Sequence, residues 1–264
     1  MRTDVVYPSD TVKTRAGLSL GSSSDSVYQM VADTLASCGI AGGRVVDVGC
    51  GGGALWRVLS GRFDQYAGLD AVRYPTLPPD VEFRQVDLDT TEWPVRDGDA
   101  DVVTAVETIE HLENPWAFVR ALARIAKPGG WVVVTTPNQL SALSLVTLIV
   151  KRRFSAFQDS AYPAHRTALL ESDLVRILAA AGLEQIAVAY SCRGRLPLTA
   201  AHVPARLARR MPRACSDNLL AIGRKPPSNS EFGIRNSEFV RSTPIRNSKF
   251  QIPNSKFRIL NSEF

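Results

Sequence analysis

Cysteine is scarce. Only Cys38, Cys50, Cys192 and Cys215 occur in 264 residues, and no two have the short spacing of a zinc or redox pair. The expectation is four reduced thiols in a cytoplasmic protein. Histidine is scarcer, at three, and no run of the chain groups ligand side chains, so no metal site is expected. Long apolar runs are missing as well. The longest, Leu140 to Val150, falls short of the roughly 20 residues that span a bilayer. The opening MRTDVVYPSD has no apolar stretch of the kind a secretory signal needs.

What is present is unevenly placed. Residues 1–190 carry 17 basic and 22 acidic side chains, residues 191–228 carry 8 and 1, and residues 229–264 carry 6 and 3. The sequence pI of 9.2 therefore belongs to the C-terminal third and does not mark the whole chain as a nucleic-acid binder. The cluster Arg206, Arg209, Arg210, Arg213 reads first as a solvated helix face. In the last stretch NSEF or NSKF recurs from Asn229, Asn236, Asn247, Asn254 and Asn261. Asn, Ser, Gly and Pro are poor helix residues, which rules out a heptad coiled coil and predicts a low-complexity, disordered tail over 228–264. Residues 1–23 read as an arm, leaving one domain over 24–227.

Within that domain strand and helix signals alternate. Val27, Met30, Val31 and Leu35 share one face of a helix that Ser24 or Asp25 can cap. Arg44–Val48, Gln65–Asp70, Val81–Val86, Asp101–Val106 and Trp131–Thr135 read as apolar strands. A helix over Ala54–Leu59 and another from Asn114–Pro115 to Lys127-Pro-Gly-Gly fall between them. Helices over 140–150 and 171–181 and strands over 184–191 and 218–223 follow, with a helix around Ala200–Arg210 between the last two. Apolar strands separated by helices predict an α/β doubly wound, mostly parallel sheet.

The chemistry is concentrated at the ends of those strands. VVDVGCGGG, Val45 to Gly53, delivers Asp47 and then turns through Gly49, Cys50, Gly51 and Gly53. Glycine lets a ligand approach the backbone with no Cβ in the way. The spacing Gly49, Gly51, Ala54 also fits the dinucleotide fingerprint, so the turn by itself signals only a nucleotide site. Acids at the ends of the next two strands sharpen it. Asp70 can accept ribose hydroxyls, Asp87 can accept from an adenine amino group, and Asp47 can face a ligand ammonium. Three carboxylates suit a cationic, phosphate-free cofactor better than a pyrophosphate.

In these stretches the chain resembles the class I S-adenosylmethionine-dependent methyltransferases. In pattern it is closest to the small-molecule branch that includes the ubiquinone-biosynthesis O-methyltransferases. The resemblance runs over roughly residues 25–225, through VVDVGCGGG, YAGLD, VDLD, DVVTAVETIEHLENP, LARIAKPGGWVVVTTPN and ESDLVRILAAAGLEQI. It implies a seven-stranded sheet whose last strand, near Asn218–Gly223, runs antiparallel. It implies S-adenosylmethionine as cofactor, with Asp47 through Gly53 at its methionine moiety and Asp70 at the ribose. Asp87 and the backbone of Leu88 would hold the adenine, and Glu107 would lie near the methionine end and the substrate. Glu110-His111 matches the family's Glu-His pair.

His111 is the first candidate base for an oxygen nucleophile and His165 the second. Each has a plainer alternative: a packed histidine at 111, a solvated loop histidine at 165, a salt-bridge partner at Glu110. The implied reaction is metal-independent methyl transfer to a small molecule such as a sugar, quinone or lipid-like hydroxyl. A nicotinamide-dependent oxidoreductase and a catalytically silent scaffold stand as alternatives. Nucleic acid is disfavoured, since no Asn-Pro-Pro-Tyr run follows the fourth strand. The 140–153 segment, with its Lys151-Arg152-Arg153 end, reads either as a helix covering the pocket or as a transient contact with a membrane surface. Oligomeric state is not legible.

Overall fold

The computed structural model describes residues 10–19, 21–90, 92–197, 199, 201–228 and 257–259. The strands are β1 (Arg44–Val48), β2 (Gln65–Asp70), β3 (Glu82–Gln85), β4 (Ala100–Ala105), β5 (Ala126–Pro137), β6 (Glu184–Tyr190), β7 (Asn218–Arg224) and β8 (Phe257–Ile259). The helices are α1 (Asp10–Leu18), α2 (Asp25–Ser37), α3 (Ala54–Leu59), α4 (Pro115–Ile125), α5 (Ala142–Lys151), α6 (Glu171–Ala180) and α7 (Ala205–Arg210). The sheet order is β3-β2-β1-β4-β5-β7-β6-β8. Strands β3 through β5 pair in parallel, and β7 runs antiparallel to both β5 and β6, as the resemblance implies.

Alternation along each strand divides the core between two faces. Val46, Val48, Val103, Val132 and Val134 pack with Phe118 and Leu122 of α4 and with Leu174, Ile177 and Leu178 of α6. Their sequence neighbours Val45, Val102 and Val133 pack on the other face with Val27, Val31 and Leu35 of α2 and Leu55 and Leu59 of α3. A strand buried on both faces needs a continuous apolar run, which is why VV and VVV recur where a half-exposed strand would alternate. Asn114 caps α4 by accepting the Ala117 N–H at 3.0 Å, and Pro115 occupies the first turn.

Several elements differ from the sequence reading. The arm contains a helix, α1, although its apolar residues mark no clear face. Ser24 stands before α2 in extended backbone, but its side chain caps nothing. Helix α7 starts at Ala205 rather than near Ala200, because the extended backbone of Pro204 precedes it. Of the 228–264 tail, Phe257–Ile259 lies antiparallel along β6. The repeats at 229–256 and 260–264 fall outside the described residues. All four cysteines are free thiols.

Phe118 is the bulkiest of the nearly inaccessible side chains and joins α4 to the sheet. Phe118→Ala is expected to cost about 3–5 kcal/mol of unfolding free energy, read from urea denaturation monitored by circular dichroism.

Candidate active site

The chain leaves β1 towards β2 and β3, then returns to lay β4 on the other flank of β1. Connections departing in opposite directions open a crevice at the carboxyl ends of these strands. A cavity of about 380 Å³ occupies it. Its wall includes Asp47, Gly49, Cys50, Asp70, Leu88, Glu107, Glu110, His111 and His165. Nine of the twelve residues singled out from the sequence therefore meet in one place.

The glycine turn is shaped by close approach. Gly49 has φ +80°, and a Cβ there would sit 2.2 Å from Thr108 Oγ1. Gly51 has φ +51°, and its Cβ would lie 2.0 Å from the carbonyl oxygen of Gly21 in the arm. Neither Gly51 nor Gly53 lines the cavity wall. Gly51 instead donates its N–H to Asp70 Oδ2 at 2.9 Å, and Gly52 donates to Gly21 O at 2.9 Å. Asp87 also stands outside the wall: its Oδ1 accepts the Asp89 N–H at 3.0 Å, while Leu88 faces inward.

Four carboxyl groups crowd this end of the sheet. Asp47 is 1% exposed, and its oxygens accept hydroxyl hydrogens from Tyr66 at 2.7 Å and Thr104 at 2.8 Å. Burial drives its pKa up to about 6, the two hydroxyls pull it back, and the charge of Asp70 adds to the rise. Burial also raises Asp70, against backbone N–H donors from Gly51 and Val72. Glu107 takes a left-handed backbone conformation, φ +49°, rare for a residue with a side chain. Its N–H donates to Thr135 Oγ1, the Thr135 hydroxyl donates to Glu107 Oε1 at 2.9 Å, and Asn218 Nδ2 donates to Oε2 at 2.7 Å. Enclosure and the neighbouring Glu110 charge hold Glu107 well above the usual carboxylate range.

Glu110 is fully buried. Its Oε2 accepts the Thr136 hydroxyl at 3.3 Å, and its Oε1 has no hydrogen-bond partner. Burial lifts its pKa to about 8. The Glu110 carbonyl accepts the N–H groups of Arg166 and Thr167, which brings the distant His165 beside His111. The two imidazoles lie 4.8 Å apart, edge to face. His111 Nδ1 contacts the Ala164 carbonyl at 2.9 Å, and His165 Nδ1 contacts the Ala156 carbonyl at 2.7 Å. A carbonyl can only accept, so in the neutral rings each Nδ1 carries the proton and each lone pair is on Nε2. Burial and the His111 charge lower the pKa of His165. Glu110, His111 and His165 offer ligand atoms within 4.8 Å of one another, a donor set suited to a divalent cation. The sequence shows no such cluster, because His165 is remote along the chain and arrives through backbone hydrogen bonds.

Sequence reasoning also passed over Tyr66, Thr104, Thr135 and Asn218, which hold the carboxyl groups. A signal existed for two of them: Thr104 and Thr135 are polar residues within or at the end of apolar runs, DVVTAV and WVVVT.

A methyltransferase-domain family model matches residues 27–188. A ubiquinone biosynthesis O-methyltransferase from Idiomarina loihiensis is 31% identical over 158 residues, covering 57% of this chain and 65% of that protein. One from Bordetella bronchiseptica is 40% identical over 111 residues, covering 38% and 45%. The chain thus spans about half to two thirds of these curated relatives. Among solved structures, a SAM-dependent methyltransferase from Thermotoga maritima superposes with a TM-score of 0.55 at 19% identity, over 76% of this chain and 88% of that one. One from Archaeoglobus fulgidus gives 0.55 at 16% identity, over 75% and 94%. At those identities the likeness concerns the fold.

The raised carboxyl groups have a consequence for stability. A group whose pKa is higher in the folded than in the unfolded chain contributes stability below its unfolded value, and that contribution is lost as pH rises through the folded value. For Glu110 the window runs from the ordinary 4.5 up to about 8. Urea midpoints are expected to fall across that window, and Glu110→Gln to flatten the decline.

Proposed function

The chain belongs to the methyltransferase-domain family, and on that footing we propose that it moves the methyl group of S-adenosylmethionine to a small-molecule acceptor, most readily a hydroxyl of a sugar, quinone or lipid-like compound. One observation carries the reading. Gly49 and Cys50 of the glycine turn, the Asp70 carboxyl and the Glu110–His111–His165 group border the same cavity. Cofactor recognition and proton handling are then contiguous. The O-methyltransferase relatives favour oxygen as the nucleophile.

The residues present fit the cofactor. Asp70 Oδ1 accepts the Val72 N–H at a long 3.4 Å, and a carboxylate oxygen with two lone pairs retains capacity for ribose hydroxyls. Gly49 and Cys50 bring backbone to the cavity wall, and Leu88 supplies an apolar surface for a planar base. When bound, the sulfonium cofactor supplies an already activated methyl group. The protein's part is alignment, exclusion of water and removal of the acceptor's proton. His111 suits proton removal, because its Nε2 lone pair is fixed by the Ala164 carbonyl and Glu110 lies beside it. His165 stacks edge-on against His111 and can relay or replace it.

The partnerless Glu110 Oε1 beside two histidines favours a second reading of the same trio, as a divalent-cation site. Glu110, His111 and His165 would be the ligands, and the cation would supply Lewis acidity towards the acceptor oxygen. Assay of hydroxyl acceptors after chelation and dialysis separates the two roles. Retained turnover supports the histidine base, and loss restored by an added divalent ion supports the cation.

Calorimetric titration with S-adenosylmethionine and S-adenosylhomocysteine tests the proposal itself. Micromolar binding is expected, weakened about tenfold or more in Asp70→Ala, in line with loss of a hydrogen bond to a charged group. Absence of binding to folded protein would return the reading to a scaffold or a nicotinamide enzyme.

A further inference from the structure

The cavity wall carries carboxyl groups and no fixed counter-charge. Asp47, Asp70, Glu107 and Glu110 stand on it, and among the described residues no Lys or Arg does. S-adenosylmethionine brings a sulfonium, an ammonium and a carboxylate. The acids suit the two cations and repel the carboxylate. An amino acid's ammonium and carboxylate share one carbon, so the carboxylate must find a hydrogen-bond donor close to the acids that receive the ammonium.

The donors of the glycine turn and of the neighbouring strand ends are committed. The Gly49 and Cys50 N–H groups both go to the Leu69 carbonyl, at 2.7 and 3.2 Å, and the Gly51 N–H goes to Asp70. Asp47 takes the hydroxyls of Tyr66 and Thr104, and the Thr108 hydroxyl faces the carbonyls of Val48 and Val106. Tyr28 of α2 is different. It is 8% exposed and lines the cavity. Its Oη accepts the Ser23 N–H at 2.7 Å, and among the described residues no acceptor takes its own proton. A buried hydroxyl hydrogen without an acceptor is a cost that a ligand can remove. Burial raises the Tyr28 pKa above the ordinary 10, the Ser23 N–H draws it back, and the charges of Asp47 and Glu107 add to the rise. The phenol therefore stays a donor through the neutral range, and it stands near the acids suited to an ammonium.

On the reading of this cavity as an S-adenosylmethionine site, we propose that Tyr28 binds the cofactor's amino-acid carboxylate through a neutral hydroxyl in place of an ion pair. The bond runs from O–H to a charged oxygen, which makes it stronger than one between neutral partners. A guanidinium at this place would pair with Asp47 or Glu107 and cancel the charge that receives the ammonium and sulfonium. A phenol serves the carboxylate without that loss. The Ser23 N–H fixes the phenol oxygen, so the junction between the arm and α2 orients the donor.

Calorimetric titration of the full chain with S-adenosylmethionine and with decarboxylated S-adenosylmethionine tests the assignment. The second ligand keeps the adenosine, the sulfonium and the ammonium and lacks the carboxylate. Tyr28→Phe is expected to weaken S-adenosylmethionine about tenfold or more, and to leave the decarboxylated ligand within about twofold. The ring is preserved, and binding of the decarboxylated ligand reports that the variant keeps its folded cavity. Two results would overturn the assignment while leaving the cofactor reading intact. One is undiminished binding of S-adenosylmethionine by Tyr28→Phe. The other is an equal loss for both ligands in a variant whose circular dichroism melt is unchanged, the mark of a phenol that only holds Ser23 and the arm. Failure of both ligands to bind folded wild-type protein would remove the cofactor reading, and the assignment with it.

Discussion

Asp47 sits at the end of β1, almost inaccessible, with two hydroxyl groups and, among the described residues, no cation for partners. Burying a carboxyl without a counter-charge is costly unless its lone pairs are satisfied or its proton is retained. The first remedy is in use here, and burial raises the pKa of Asp47 to about 6. Tyr66 reaches it from β2 and Thr104 from β4, so the strands flanking the crevice are bound to the same side chain. The position of β1 between those neighbours, the glycine turn that follows and the Asp70 bond to Gly51 all stand on that arrangement. The site is a cluster of acids whose pKa values burial raises, and incoming positive charge would be welcomed by all of them.

Much of this was legible in the residues. The valine runs announced a sheet buried on both faces, and the acids that follow them announced a ligand edge, because strand ends are where a parallel sheet exposes its crevice. Asp47 and Asp70 could be found by position alone, and Glu107 through the family resemblance. Asp87 shows the limit: it follows its strand as expected, yet its side chain closes a local turn with Asp89 and leaves the cavity wall to Leu88. Partners of the carboxyl groups were harder to see. Asn218 reaches Glu107 across more than a hundred residues, and no local pattern encodes that meeting. His165 is the same case, delivered by two backbone bonds to the Glu110 carbonyl.

The segment after β5 shows a different limit. Its composition suggests a covering helix, since a short apolar run without a polar face ordinarily turns inward. Which way such a run faces is decided by its anchors, and here these are hydroxyl and amide groups around Ser144. Leu143, Val146 and Leu148 are half-buried around Ser144, while Leu145, Ile149 and Val150 are left outside.

The contact between Gly21 and the glycine turn has a thermodynamic implication. Gly21 O takes the Gly52 N–H, Tyr74 reaches Ala16 O from below, and Val12, Ala16, Leu18 and Ser19 complete the cavity wall. The enclosed pocket thus exists only in molecules whose arm is docked. Observed affinity for any ligand is the intrinsic affinity discounted by the docked fraction. A ligand that fills the pocket would, in turn, hold the arm in place. The Gly21–Gly52 and Tyr74–Ala16 hydrogen bonds thereby count towards the free energy of ligand binding, although neither belongs to the acid cluster.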